Sequence, residues 1–211
     1  MAFPHDFSIG DGGCGCGDFD TVVLPSSLVT IEAEAFAECE FLREVTGGEN
    51  LRRVGYDAFY WTPFLYGVKS LDDFDEPCEG LGFAKIGNFI VGRYGSLEEA
   101  SSDNWYDPVT GEWLWSYDLA IPEGTTGLAD GLCDSLPITS LMIPGSVKRI
   151  PDYAFNSCCQ LRTLAIGEGV EEIGECAFAC AGCEWCIERI TLPSTLKRIE
   201  SCAFSCFGYL K

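Results

Sequence analysis

The sequence predicts a repeat solenoid, a curved stack of short parallel strands joined by short helical or 3-10 turns, with a β-hairpin region inserted into it. Three observations predict this. One apolar phrase recurs along the chain. Its phenylalanine falls at positions 36, 59, 155, 178 and 204, and the intact spacing is 23 residues. No single copy holds enough apolar residues to bury them alone, so neighbouring copies must share a core. Each buried Phe, Ile or Leu contributes roughly 1.5–3 kcal/mol, against about 1–2 kcal/mol of chain entropy per ordered backbone residue. An isolated copy loses that contest.

Residues 1–21 open the chain with the glycine-rich run GDGGCGCGDFD and read as irregular. Residues 22–65 carry the first repeats. The phrase is complete as Leu24-Pro25, Leu28, Ile31, Ala35-Phe36, Cys39, Leu42 and Val45, then degenerate as Val54, Ala58-Phe59 and Leu65. Residues 66–119 leave the register and predict a β-hairpin insertion. Phe83–Ile86 and Phe89–Tyr94 flank Gly87-Asn88, a two-residue turn. A second hairpin is signalled by Trp105-Tyr106, the turn run Asp107 to Gly111, and Trp113-Leu114-Trp115. The repeats resume over residues 120–211, and the whole is expected to form one continuous domain. This part holds Ile121-Pro122 with Leu132-Cys133, Ile143-Pro144 with Ala154-Phe155, and Ile166 with Ala177-Phe178. After a three-residue expansion comes Leu192-Pro193 with Ala203-Phe204.

Within each copy, segments such as 138–143, 161–166 and 187–192 are short and rich in aliphatic or β-branched residues, so they read as strands. The IxxxAFxxC segment spaces its apolar residues three to five apart, which suits a helical or 3-10 turn. Strands from successive copies then lie side by side on one face.

The pattern LP-x-x-L-x-x-I-x-x-x-AF-x-x-C-x-x-L resembles the BspA-type leucine-rich repeat family over 22–65 and 120–211. The segment 83–95, following Thr62-Pro63-Phe64, resembles a hairpin insertion found in that family. Two departures stand out: Leu132-Cys133 replaces Ala-Phe, and Gly47 occupies a leading aliphatic position. The resemblance implies a leucine-rich-repeat-like stack, a cell-surface or extracellular location, and adhesion or protein binding.

Charge narrows the partners. Thirty-three acidic residues against thirteen basic ones give a net charge of −20, which repels nucleic-acid phosphates and favours basic protein partners. No stretch approaches the roughly 20 apolar residues that cross a bilayer, and MAFPHDFSIGDGG has neither a basic start nor the apolar run of a secretory signal. A solenoid normally shields its terminal repeats with a polar cap; none is evident before Lys211, which suggests a piece of a longer protein.

Catalysis is not expected. The single histidine, His5, lies in the irregular start, and an active site needs its base held by packed neighbours. No cofactor is expected either. Cys176, Cys180, Cys183 and Cys186 cluster in sequence, and Cys183 and Cys186 have a spacing used in zinc sites. Cys176 and Cys180 flank Ala177-Phe178 as Cys202 and Cys206 flank Ala203-Phe204, however, so buried ladder thiols are favoured over disulfides or metal. The acidic stretch Asp72–Glu76 lacks the spacing of a calcium loop and reads as solvated.

Two candidate binding surfaces remain. One is the strand face with Arg43, Glu44, Arg162, Thr163, Glu188, Arg189 and Thr191; the other is the aromatic hairpin with Trp105, Tyr106, Trp113 and Trp115. Trp113 and Trp115 alternate and so share one strand face, and covering the solenoid core is the favoured role for them. The leading expectation is a non-enzymatic protein-recognition or adhesion module. A structural spacer in a larger surface protein and a cysteine-based metal or redox module are the alternatives.

Overall fold

A computed structural model of the chain describes residues 19–71, 81–94, 105–106, 113–114, 117–182, 187 and 189–207. They form a β-solenoid of about six turns with parallel strands and very little helix. Each coil contains up to three parts: a longer strand, a two-residue strand, and a tight arc that carries the Ala-Phe pair. Coil 1 has β1 (Thr21–Leu24) and β2 (Thr30–Ile31), and coil 2 has β3 (Glu44–Gly47) and β4 (Arg53–Val54). A one-turn helix, α1 (Pro63–Tyr66), and a hairpin, β5 (Gly82–Ile86) with β6 (Phe89–Tyr94), come next. After them, β7 (Trp105–Tyr106) pairs antiparallel with β8 (Trp113–Leu114). Coil 3 has β9 (Asp118–Ala120) and β10 (Gly127–Leu128), coil 4 has β11 (Ser140–Ile143) and β12 (Arg149–Ile150), and coil 5 has β13 (Thr163–Ile166) and β14 (Glu172–Ile173). Coil 6 contributes β15 (Arg198–Ile199).

The longer strands pair parallel in register, Val22 opposite Val45 and Leu141 opposite both Leu119 and Leu164. Alternation then sends one side-chain row inward and the next outward. Inside, the arc phenylalanines stack. Phe36 lies 5.2 Å from Phe59 at 8°, Phe155 lies 5.5 Å from Phe178 at 12°, and Phe178 lies 5.3 Å from Phe204 at 7°. Coils about 4.8 Å apart bring the rings near contact distance, and a slight offset avoids a direct sandwich. Each run ends against an edge-on ring, Phe64 on Phe59 and Phe207 on Phe204.

The arcs differ from the helical or 3-10 turns that apolar spacing predicts. They are tight non-helical turns held sideways. Within an arc, alternate N–H groups donate to the next coil: Glu34, Phe36 and Glu38 to the carbonyls of Tyr56, Ala58 and Tyr60 at 3.0, 2.8 and 2.7 Å. The same triple joins Gly131, Cys133 and Ser135 to coil 4, Tyr153, Phe155 and Ser157 to coil 5, and Cys176, Phe178 and Cys180 to coil 6. The outer two donors of each triple have positive φ, between 50° and 66°. A left-handed residue without glycine costs on the order of 1–3 kcal/mol; here that conformation aims its N–H at the neighbouring coil, and the bond offsets the cost. A helix would turn those N–H groups onto its own chain and leave the coils unlinked.

Other corrections follow from the same ladder. The predicted strand at 187–192 is absent among its described residues, 187 and 189–192. The expansion before it lengthens the Phe178–Phe204 interval beyond 23 residues. Coil 6 regains register only later, where Ser194 N–H donates to Glu168 and Lys197 N–H to the Glu171 carbonyl at 2.7 Å. Gly47 is required by its place: its φ is +79°, and a Cβ there would lie 2.1 Å from the Leu24 carbonyl oxygen. Cys133 fills the Phe slot of coil 3, fully buried.

The first hairpin forms as its turn predicts, with positive φ at Gly87. Its strand β6 also pairs parallel with β10, Phe89 opposite Gly127. The hairpin thus joins coil 3, and a side chain on Gly127 would strike the Phe89 ring at 2.2 Å.

Cysteines divide by position. Cys133 and Cys158 are buried free thiols, and burial pushes the Cys133 thiol up to about 12. Cys176 and Cys180 are half-buried, while Cys202 and Cys206 are exposed. They sit at the left-handed positions, whose side chains point away from the core, so the expectation of buried thiols fails for these four. Cys39 is disulfide-bonded rather than a free thiol, and its partner lies outside the described residues. Cys14, Cys16, Cys183, Cys186, His5 and the Asp72–Glu76 stretch also lie outside them. Among the described residues no three His, Cys, Asp or Glu side chains come together as a metal site, and no helix is long and apolar enough to cross a membrane.

Candidate binding surfaces

The outward strand rows form the first surface. Thr21 and Glu44 stand side by side, as do Val23 and Thr46; farther along, Asp118, Ser140 and Thr163 form one file and Ala120, Met142 and Ala165 another. Of the residues that sequence singles out, Arg43, Glu44, Arg162, Thr163, Arg189 and Thr191 are exposed. Glu44 and Thr163 belong to these files. Arg43 sits one residue before β3 and donates through Nε to the Lys69 carbonyl, and Arg162 sits one residue before β13. Glu188 lies outside the described residues, as do the side chains of Trp105, Tyr106 and Trp113 and the whole of Trp115. The apolar members of the files, Val23 and Met142, are 73% and 55% exposed, and periodicity alone does not flag them.

A second row follows the two-residue strands and carries a network of ion pairs, a feature that sequence reading misses. Arg53 bonds Asp130 at 2.9 Å and lies 3.6 Å from Asp152. Arg149 bonds Asp152 at 2.6 Å and lies 3.7 Å from both Glu172 and Glu200. This network ties coil 2 to coil 3 across 77 residues of chain. Asp130 is buried, and desolvation raises its pKa above the ordinary carboxylate value although Arg53 pulls it down.

Beside that junction the arc ladder opens. Coil 3 touches coil 2 through Asp130 N–H on the Val54 carbonyl, at 2.8 Å, but the triple that joins other arcs is missing. Asp57 N–H and Phe59 N–H have no partner among the described residues, and Trp61 N–H turns to the Tyr66 hydroxyl. The one-turn helix α1 causes the parting. Thr62 caps it, accepting from Leu65 N–H at 3.1 Å, and Pro63 opens its first turn. The helix carries Phe64 onto Phe59, where the next coil's ring would stack.

A cleft of about 420 Å³ results. Tyr56, Asp57, Phe59 and Tyr60 of coil 2 form one wall, Leu65 and Tyr66 of α1 the back, Val91 to Tyr94 of β6 another side, and Ala129 to Leu132 with Asp134 of coil 3 the far wall. The Tyr56 ring lies over Gly131, where a Cβ would strike it at 2.0 Å, and burial together with the nearby Asp57 and Asp134 charges raises the pKa of its hydroxyl. Partial burial raises the pKa of Asp57, with Glu34 adding to the rise and Arg93 opposing it. Sequence reading does not find this cleft, because its walls come from segments as far apart as Tyr56 and Asp134.

A family profile described as the BspA type leucine rich repeat region matches six copies over residues 10–72 and 121–211. The chain belongs to this family. Among solved structures it is similar to a leucine rich cell surface protein from Faecalibacterium prausnitzii, at 19% identity and a TM-score of 0.45, covering 91% of this chain and 58% of that one. It is also similar to a leucine-rich repeat protein from Bacteroides ovatus, at 16% identity and a TM-score of 0.31, covering 92% and 60%. The chain therefore spans under two thirds of the length of either protein. No curated protein matches it.

Proposed function

We propose that this repeat stack is a non-catalytic module that binds a protein partner at a cell surface, using its outward strand rows as a rigid face. The observation that carries the reading is the register: Ala120, Met142 and Ala165 stand in file beside Asp118, Ser140 and Thr163. Those positions are fixed before any partner arrives, so binding loses little conformational entropy. Apolar centres rimmed by polar groups match the anatomy of protein interfaces. The candidates Glu44, Thr163, Arg43 and Arg162 lie in or beside the files, and the net charge of −20 favours a basic partner. The family membership and the named cell-surface neighbour support the location. The insertion over residues 66–119 fits the same proposal, with the repeats on either side forming one scaffold.

The test is surface capture by the immobilised protein, compared with a Met142→Arg, Ala165→Asp variant of the central file. The proposal expects a partner retained by the native protein and lost by the variant at equal folded content. A partner retained equally by both rules out the strand rows, and no saturable partner at low salt rules out the binding function.

A further inference from the structure

We propose that the cleft between coils 2 and 3 is a receptor for a basic side chain, arginine or lysine, presented by a protein partner. It lies on the arc side, away from the strand rows, and stands or falls separately from them.

Three features carry the proposal. The first is a chamber of rings: Tyr56, Tyr60, Tyr66 and Tyr94 all line the cleft, and Tyr56 and Tyr60 are 42% and 47% exposed. Aromatic faces present negative quadrupole charge to a cation. The second is an acidic excess. Asp57, Asp130 and Asp134 line the cleft with one cation, Arg93, which makes no ion pair within 4 Å with any of them among the described residues, while Arg53 pairs with Asp130 from outside the lining. Asp130 is 7% exposed; its Oδ2 bonds Arg53, but its Oδ1 is buried with no hydrogen-bond partner. A buried carboxylate oxygen without a donor is costly, and its uncompensated negative charge favours a guanidinium or ammonium entering the cleft. The third is the pair of backbone N–H groups, at Asp57 and Phe59, released where the ladder parts. They can donate to the carbonyls on either side of the inserted residue, so the cleft is suited to a peptide rather than a free ion.

Volume limits the occupant. At about 420 Å³ the cleft holds a side chain and its flanking backbone, at the small end of ligand pockets, and not a folded element. A neutral sugar could stack on the rings but leaves the acidic groups without a partner.

The probe is the capped tripeptide Gly-Arg-Gly, titrated into the full chain by calorimetry beside its isosteric citrulline counterpart and a neutral oligosaccharide. Saturable arginine binding is expected, at least ten-fold tighter than citrulline and weakened by salt. Asp134→Asn and Asp57→Asn are expected to weaken it on the order of ten-fold each, with thermal unfolding unchanged, while the strand-row variant Met142→Arg binds the peptide normally. Equal binding of arginine and citrulline overturns the proposal, as does no arginine binding, oligosaccharide binding alone, or full affinity in both Asp variants. If Tyr60→Ala also folds and binds normally, the aromatic part of the proposal is removed.

Discussion

Gly47 and Asp130 illustrate how single residues carry this fold. Gly47 breaks the apolar phrase, yet any Cβ there meets the Leu24 carbonyl, and its φ of +79° disfavours side chains. Gly47→Ala is expected to cost about 1–3 kcal/mol, measured as a lower denaturant midpoint at unchanged slope. Asp130 depends on Arg53. Arg53→Ala strands a buried carboxylate, at an expected cost of about 1–3 kcal/mol because the arginine itself is half-exposed. The pH dependence has a defined sign. The groups facing Asp130 are Arg53, Asp152 and Arg149, and the balance already raises its folded pKa above 3.8. The folded state then holds the proton more tightly than the unfolded chain, so this group's contribution to stability falls as pH rises from 3.8 through the raised value. Removing Arg53 widens that window. The Arg53→Ala penalty is therefore full at neutral pH and shrinks on acidification, read from unfolding curves between pH 4 and 7.

Among the elements, the arcs and strands were legible to different degrees. The Phe interval of 23 residues announces the stack, and Gly87-Asn88 announces its hairpin, because both depend on local spacing. The arc conformation was hidden. Its left-handed positions hold Glu34, Asp57, Tyr153, Cys176 and Cys202 where glycine would signal such a turn, and the compensating bonds come from the next coil. Residues 187–192 were misleading for the converse reason: their composition suits a strand, but the expansion before them displaces the register that a strand needs. The stacked rings give the element scale its test. Phe178 is fully buried between Phe155 and Phe204, so Phe178→Ala is expected to cost about 3–5 kcal/mol. Phe36 stacks on one described ring and retains 8% exposure, so Phe36→Ala costs less. Equal losses in thermal or denaturant unfolding contradict a ladder.

For the molecule as a whole, the core divides into two apolar clusters, one centred on Phe59 and the other on Phe155 and Phe178. They meet at coil 3, where β6, Asp130 N–H and the Arg53 network hold the halves together while the arcs part. Nearest-neighbour stacking sets the stability of such an array, and the same parting forms the cleft. Neither was visible in the sequence, because both arise where distant segments meet. Backbone hydrogen exchange tests this directly. The account predicts strong protection of the amides of Phe36, Cys133, Phe155 and Phe178, each bonded to the next coil, and rapid exchange at Asp57 and Phe59. Equal protection at Phe59 and Phe155, or rapid exchange at Phe155 and Phe178, contradicts it.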